Sequence, residues 1–234
     1  FYRKCDNIVK SLLWMGDRYG RMPDVVGFAE VENKGVLSRL LASTVLRKYD
    51  YGIVHHDSPD RRGIDVALIF RRSSFGLVSK SRITPSYEGV KLATRDILQV
   101  CLEGREGRCT HFIVNHHPSK FGGAGESEGR RIAAMAALRH LCDSLTDVSG
   151  YPVIAMGDFN DSPDGPAFGL VEGALVNKGI SLHRKGEGSI RFEGKWDLID
   201  NYLVSQQIDT LTQMEVCRIP FLMTWERKHP GEKP

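Results

Sequence analysis

The segment that most constrains this chain is Val153-Ile154-Ala155-Met156-Gly157-Asp158-Phe159-Asn160-Asp161-Ser162-Pro163, where an apolar run meets a glycine and turns abruptly polar. It reads as a buried strand that delivers a carboxylate and a carboxamide, two residues apart, to its end. Alternating side-chain direction in an extended segment points Asp158 and Asn160 to the same side. The same residues also suit an Asx-type turn that merely closes a strand.

Other apolar runs end the same way: Val25–Glu30, Val66–Phe70, His111–His116 and Leu198–Val204. Strands hold their ends rigidly, so polar groups placed there can converge with the accuracy that catalysis needs. Three segments have helical apolar spacing instead. Asn7–Met15 aligns Ile8, Val9, Leu12 and Leu13; Asn33–Lys48 aligns Val36, Leu37, Leu40, Leu41 and Val45; Arg130–Leu145 aligns Ile132, Met135, Ala136, Leu138, Leu141 and Leu145. Strands separated by one-faced helices predict an α+β fold, a four-layer αββα sandwich of two mainly antiparallel sheets flanked by helices.

A length of 234 residues suits a single domain with one large core. With 41% hydrophobic and 26% charged residues, wholesale disorder is excluded. Gly122–Gly129 has the composition of a mobile loop, Gly186–Ser189 that of a turn, and Trp225–Pro234 that of an exposed tail. A net charge of +3 does not argue for a dedicated nucleic-acid binder, and the pairs Arg61-Arg62, Arg71-Arg72 and Arg130-Arg131 read first as solvated faces. Five cysteines without C-x-x-C spacing indicate free, mostly buried thiols. No run is apolar enough for a transmembrane segment, and the first residues lack a signal core. The expected product is soluble and monomeric, either cytoplasmic or exported after signal cleavage.

Four further features bear on chemistry. Glu30 ends an apolar run, and a hard cation such as Mg²⁺ binds carboxylate oxygens while retaining waters; an arginine partner would be the structural alternative, with Asn33 as a helix cap. Asn115-His116-His117 places two imidazoles on opposite sides of a strand, so one alone would normally reach a given site. An imidazole there suits phosphate binding or leaving-group protonation, or is a buried structural residue. Asp200 interrupts the run Trp196–Ser205, as a carboxylate that orients a histidine would, or as a surface-facing strand residue.

Together these segments resemble the endonuclease/exonuclease/phosphatase superfamily and are most similar to its bacterial members. Gly157-Asp158-Phe159-Asn160 is the most specific piece; the Glu30 segment, Arg61-Arg62-Gly63-Ile64-Asp65-Val66-Ala67-Leu68, Asn115-His116 and Ile199–Ser205 follow the family's order and spacing. The resemblance implies a deoxyribonuclease-like phosphoesterase in which Glu30 binds Mg²⁺ or Mn²⁺, and His116 contacts the scissile phosphate or acts as general acid. It further implies that Asp158 activates or orients the attacking water, Asn160 helps hold phosphate, and Asp200 hydrogen-bonds a terminal catalytic histidine. Family members carry an Asn-containing strand upstream of this sequence's start and an Asp-His pair on a last strand beyond its stop. Residues 1–234 therefore match one domain lacking both terminal strands. His229 is a poor substitute, being in a polar stretch with no apolar strand before it.

The expected function is hydrolysis of a phosphodiester or phosphomonoester, as a nuclease or phosphatase, with nucleic acid among the candidate substrates. A non-catalytic phospho-ligand-binding module on the same fold is the alternative. A zinc hydrolase using His55, His56, His116 and His117 is a third, but the alternation of strand side chains disfavours it.

Overall fold

The computed structural model describes residues 2–120, 124–192 and 194–222. Strands β1 (Val25–Val31), β2 (Tyr51–His55) and β3 (Asp65–Arg71) form an antiparallel sheet in the order β1-β3-β2. The second sheet has six strands: β4 (Phe75–Ile83), β5 (Ile97–Gly104), β6 (Cys109–His116), β7 (Val153–Asp158), β8 (Leu175–Asn177) and β9 (Asp200–Ser205), ordered β8-β9-β7-β6-β5-β4. Its pairings are antiparallel except β6 with β7. Those two run parallel because helix α3 (Ala124–Ser149) crosses between them, as a parallel connection requires.

The sheets pack face to face. Val54, Val66, Leu68 and Phe70 from the first meet Leu98, Val100, Leu102, Phe112, Val114 and Met156 from the second. On the outer face of the first sheet, Ala67 and Ile69 pack with Val9 and Leu12 of α1 (Tyr2–Tyr19) and Leu37 and Leu40 of α2 (Lys34–Ser43). On the outer face of the second, Ile113, Val153 and Ala155 meet Met135, Leu138 and Leu141 of α3. The expected four-layer αββα sandwich is thus the observed one. β3 lies between two apolar layers, so six consecutive residues are buried, each large aliphatic contributing about 1.5–3 kcal/mol of transfer free energy.

Several local expectations need correction. The helix predicted through Lys48 stops at Ser43, because Thr44 adopts an extended conformation. Its hydroxyl bonds Leu40 O and receives Leu46 N–H, capping a separate 3-10 turn at Val45–Tyr49. Gly122 and Gly123 lie outside the described residues, but from Ala124 onward the segment expected to be a loop belongs to α3, and Gly129 permits close approach of the Tyr87 hydroxyl. Arg131 is not solvated but buried on that helix, 4.0 Å from Asp161. Strands β2, β4, β5 and β8 are absent from the sequence-derived set. β4 is exposed along most of its length, so it carries no apolar alternation, and β5 is interrupted by Gln99, a buried residue that bonds Ser81 and His111. Asn33 does cap α2, accepting Val36 N–H. All five cysteines are free, four of them buried. The stretch from Trp225 lies outside the described residues, as does His229. No described helix is long and apolar enough to cross a membrane.

Candidate active site

Glycine at 157 is a steric requirement. β6 and β7 pair in parallel with Asn115 opposite Gly157, whose φ is +133°, and a Cβ there would lie 2.0 Å from the Asn115 carbonyl oxygen. This close pairing sets Asp158 directly opposite His116 on one side, while the antiparallel register sets it opposite Asp200 on the other. The chain then turns instead of continuing extended. Asn160 is left-handed at φ 50°, and its N–H donates to Asp158 Oδ1 at 2.8 Å. The Asx turn is therefore the observed conformation, and it leaves Asp158 beside His116 and Asp200. Buried Phe159 fixes the turn, its N–H bonding Ile199 O and its ring packing edge-on to His117 with centroids 4.9 Å apart.

Glu30 also departs from regular strand geometry. Phe28 pairs with Ala67 and Val31 with Asp65, so one extra residue bulges from β1, and Glu30 has φ 58°. A non-glycine residue in that region costs on the order of 1 kcal/mol and clusters at functional sites. The bulge lifts an exposed carboxylate at the same end of the sandwich as Asp158. Adjacent to both strands is a groove of about 460 Å³ lined by Phe28, Ala29, Met156, Asp158, Trp196 and Asp200 among others.

Electrostatics distinguish the groups. Burial, then the neighbouring Asp200 charge, pushes the Asp158 carboxyl up to about 7, with Glu30 adding to the effect and Arg95 and the Asn160 N–H opposing it. Asp200 opens to the groove but has protein on its other sides; this desolvation raises its pKa, against a hydrogen bond with Ser189. His116 Nε2 stands 3.6 Å from Asp158 Oδ2, beyond a direct hydrogen bond. Burial first, then Arg95 and Arg62, hold its imidazole down to about 3, so it is neutral near pH 7. His117 is also driven to about 3 by burial; neither ring nitrogen has a hydrogen-bond partner among the described residues, and it serves as a packing residue on the far side. The Asn160 carboxamide donates one N–H to His117 O at 3.0 Å, leaving the other for a ligand.

Sequence reasoning missed the residues that tie these pieces together. Arg95 is buried at the end of β6, its Nε donating to His116 O at 3.2 Å, its Nη2 to His117 O, and its Nη1 to Asp60 at 3.1 Å. Nothing in Thr94-Arg95-Asp96 separates this arginine from a solvated one at a strand entry. No described histidine bonds Asp200.

Among the described residues, the histidine/carboxylate group with ligand atoms close enough for one metal ion, all within 4.8 Å, is His55, Asp57 and Asp65. It contains neither His116 nor His117, and none of Glu30, Asp158 and Asp200. Asp65 Oδ2 meets His55 Nε2 at 2.9 Å and Oδ1 accepts the Ser58 amide and hydroxyl, which pins the loop between β2 and β3.

A family model described as "Endonuclease/Exonuclease/phosphatase family" matches residues 1–220. The chain belongs to this family. Among solved structures, the human Nocturnin catalytic domain with bound sulfate is similar at 20% identity and TM-score 0.69, over 88% of this chain and 75% of that one. A mannosyl-6-phosphatase from Bacteroides thetaiotaomicron matches at 15% identity and TM-score 0.58, over 82% and 74%. D. rerio TDP2 complexed with a single-strand DNA product matches at 15% and 0.58, over 84% and 75%. At these identities the family members share the fold. No curated protein matches in sequence.

Proposed function

We propose that this protein is a Mg²⁺- or Mn²⁺-dependent phosphoesterase, with Glu30 as metal-binding residue and His116, Asp158, Asn160 and Asp200 as the groups around the reacting phosphate. The observation that carries the reading is Asp158. It is a largely buried carboxyl at the junction of β6, β7 and β9, pushed up to about 7, the range in which a general base works best at neutral pH.

Asp158 would orient an attacking water and accept its proton. Neutral His116 can donate a hydrogen bond to a non-bridging or leaving oxygen, but at pH 7 it holds no extra proton to give, so its fit is to charge stabilisation and not to general acid catalysis. The free N–H of Asn160 would donate to the same phosphoryl group. Asp200 keeps negative charge beside Asp158 and thereby sustains its basicity. The chemistry of these residues suits a hard divalent cation held by few protein oxygens and its own waters: Asp200 and Glu30 both add negative charge at Asp158, which such a cation would offset. Bound at Glu30, the ion would supply Lewis-acid polarisation of the phosphoryl group.

The likeness to a phosphatase and to a DNA-product complex supports phosphate-ester chemistry without choosing a substrate. The test is hydrolysis of bis(p-nitrophenyl) phosphate and p-nitrophenyl phosphate by the full-length protein, with Mg²⁺ or Mn²⁺ and after EDTA, beside Glu30→Gln. Metal-restored turnover that the variant loses supports the reading. Turnover that survives chelation or returns only with Zn²⁺ rejects it, and phosphate binding without turnover favours the binding module.

A further inference from the structure

The loop between β2 and β3 reaches the candidate site through residues given no role above. Its turn is tightly built. The Asp60 side chain is 5% exposed; its Oδ2 receives Arg95 Nη1 at 3.1 Å and its Oδ1 receives the Arg62 amide at 2.9 Å. Gly63 N–H closes the turn on Asp60 O at 3.0 Å, with Gly63 at φ +66°, a conformation suited to glycine. Asp65 pins the other arm through Ser58 and His55.

What this rigid turn presents is Arg62. Its side chain is 57% exposed, its Nε lies 3.6 Å from Asp60 Oδ1, and its guanidinium has no hydrogen bond among the described residues. Arg95 is buried and commits all three of its nitrogens to two main-chain carbonyls and Asp60. Two arginines against one aspartate leave an excess positive charge, and it is Arg62 that carries it outward. Contact by contact, Arg62 connects through Asp60 and Arg95 to the His116 carbonyl. Its charge also acts on the His116 imidazole, which places it on that side of the site.

We propose that Arg62, presented by the Asp60–Gly63 turn, binds a second phosphate of the substrate flanking the scissile one, so that preferred substrates carry at least two phosphate groups. The groups that would contact the scissile phosphate come from β6, β7 and the turn after β7; Arg62 approaches from the β2–β3 loop beyond Arg95, one step outside them. A guanidinium fork held on a fixed turn loses little freedom on gripping phosphate oxygens in pairs. Arg61, exposed on the same turn, makes no ion pair with Asp60 among the described residues.

The inference rests on the phosphoester-binding reading of the site but not on turnover, so binding is measured directly. Calorimetry with Mg²⁺ would compare thymidine 3′,5′-bisphosphate with thymidine 5′-monophosphate in the wild type, Arg62→Ala and Arg61→Ala. The wild type should prefer the bisphosphate by roughly tenfold, the worth of one charge-assisted contact. Arg62→Ala should reduce that preference to within about twofold while leaving monophosphate affinity unchanged, and Arg61→Ala should retain it. Preserved preference in Arg62→Ala overturns the proposal, as does an equal loss in both variants, which would reveal only a diffuse positive field. Equal wild-type affinity for the two ligands overturns it alone; no binding of either would bring down the phosphoesterase reading as well.

Discussion

Replacing Asp158 by Asn should separate catalysis from stability in opposite directions. Its side chain is 20% exposed and its carboxyl is raised from an ordinary 3.8 to about 7. The folded state therefore binds this proton more tightly than the unfolded state, and stability falls as pH rises from 3.8 towards 7. At about 1.4 kcal/mol per tenfold, the full displacement corresponds to roughly 4 kcal/mol above pH 7; halving it for relaxation and water access leaves about 2 kcal/mol. Asparagine carries no charge, and its Oδ1 can still accept the Asn160 N–H. In EDTA, Asp158→Asn should melt about 4–8 °C above wild type at pH 8, with the gain shrinking to about 0.5 kcal/mol at pH 4.5. With metal present, kcat should fall by ~10²-fold or more, as expected for losing a base that also positions water. Thermal unfolding at the two pH values and steady-state kinetics on the same preparation test both halves. A variant with near-normal kcat would remove Asp158 from the chemistry, and a melting temperature unchanged at pH 8 would show that its charge is not strained by burial.

Asp200→Asn removes the negative neighbour that raises Asp158, so the acid limb of kcat/KM against pH should move below that of the wild type; an unmoved limb would mean that the two carboxyls are not coupled. Arg95→Met leaves the buried Asp60 carboxylate with only exposed Arg62 as ion-pair partner and removes a buried donor from the His116 and His117 carbonyls, which should cost about 3–5 kcal/mol in urea unfolding; a loss under 1 kcal/mol would contradict the bracing role. Gly157→Ala must displace β6 from β7, because its Cβ would overlap the Asn115 carbonyl, so soluble yield and melting temperature should both drop; a variant as stable as wild type would rule out the close pairing.

The sequence by itself determined the layers and five of the nine strands of the two large sheets. Val66–Phe70 and Val153–Asp158 announce buried strands because hydrophobic periodicity is local, and the apolar stripes of α1, α2 and α3 require sheet faces to cover. It also marked Glu30, His116, Asp158 and Asn160 as polar groups at the ends of apolar runs. It could not show that Asp158 and Asn160 meet through a left-handed turn, because that conformation depends on Phe159 being packed beneath His117 and on Gly157 lying against Asn115. Nor could it distinguish Arg95, a buried brace, from Arg62, an exposed projection. Both are arginines beside short polar loops, and their difference arises from topology: β6 ends over Arg95, whereas the turn at Asp60 lifts Arg62 outward. The displaced proton affinities of Asp158 and His116 have the same origin. A carboxyl or imidazole takes its ordinary value in an open chain, and here that value changed only when two sheets closed around it and set Asp200, Arg95 and Arg62 at fixed places nearby.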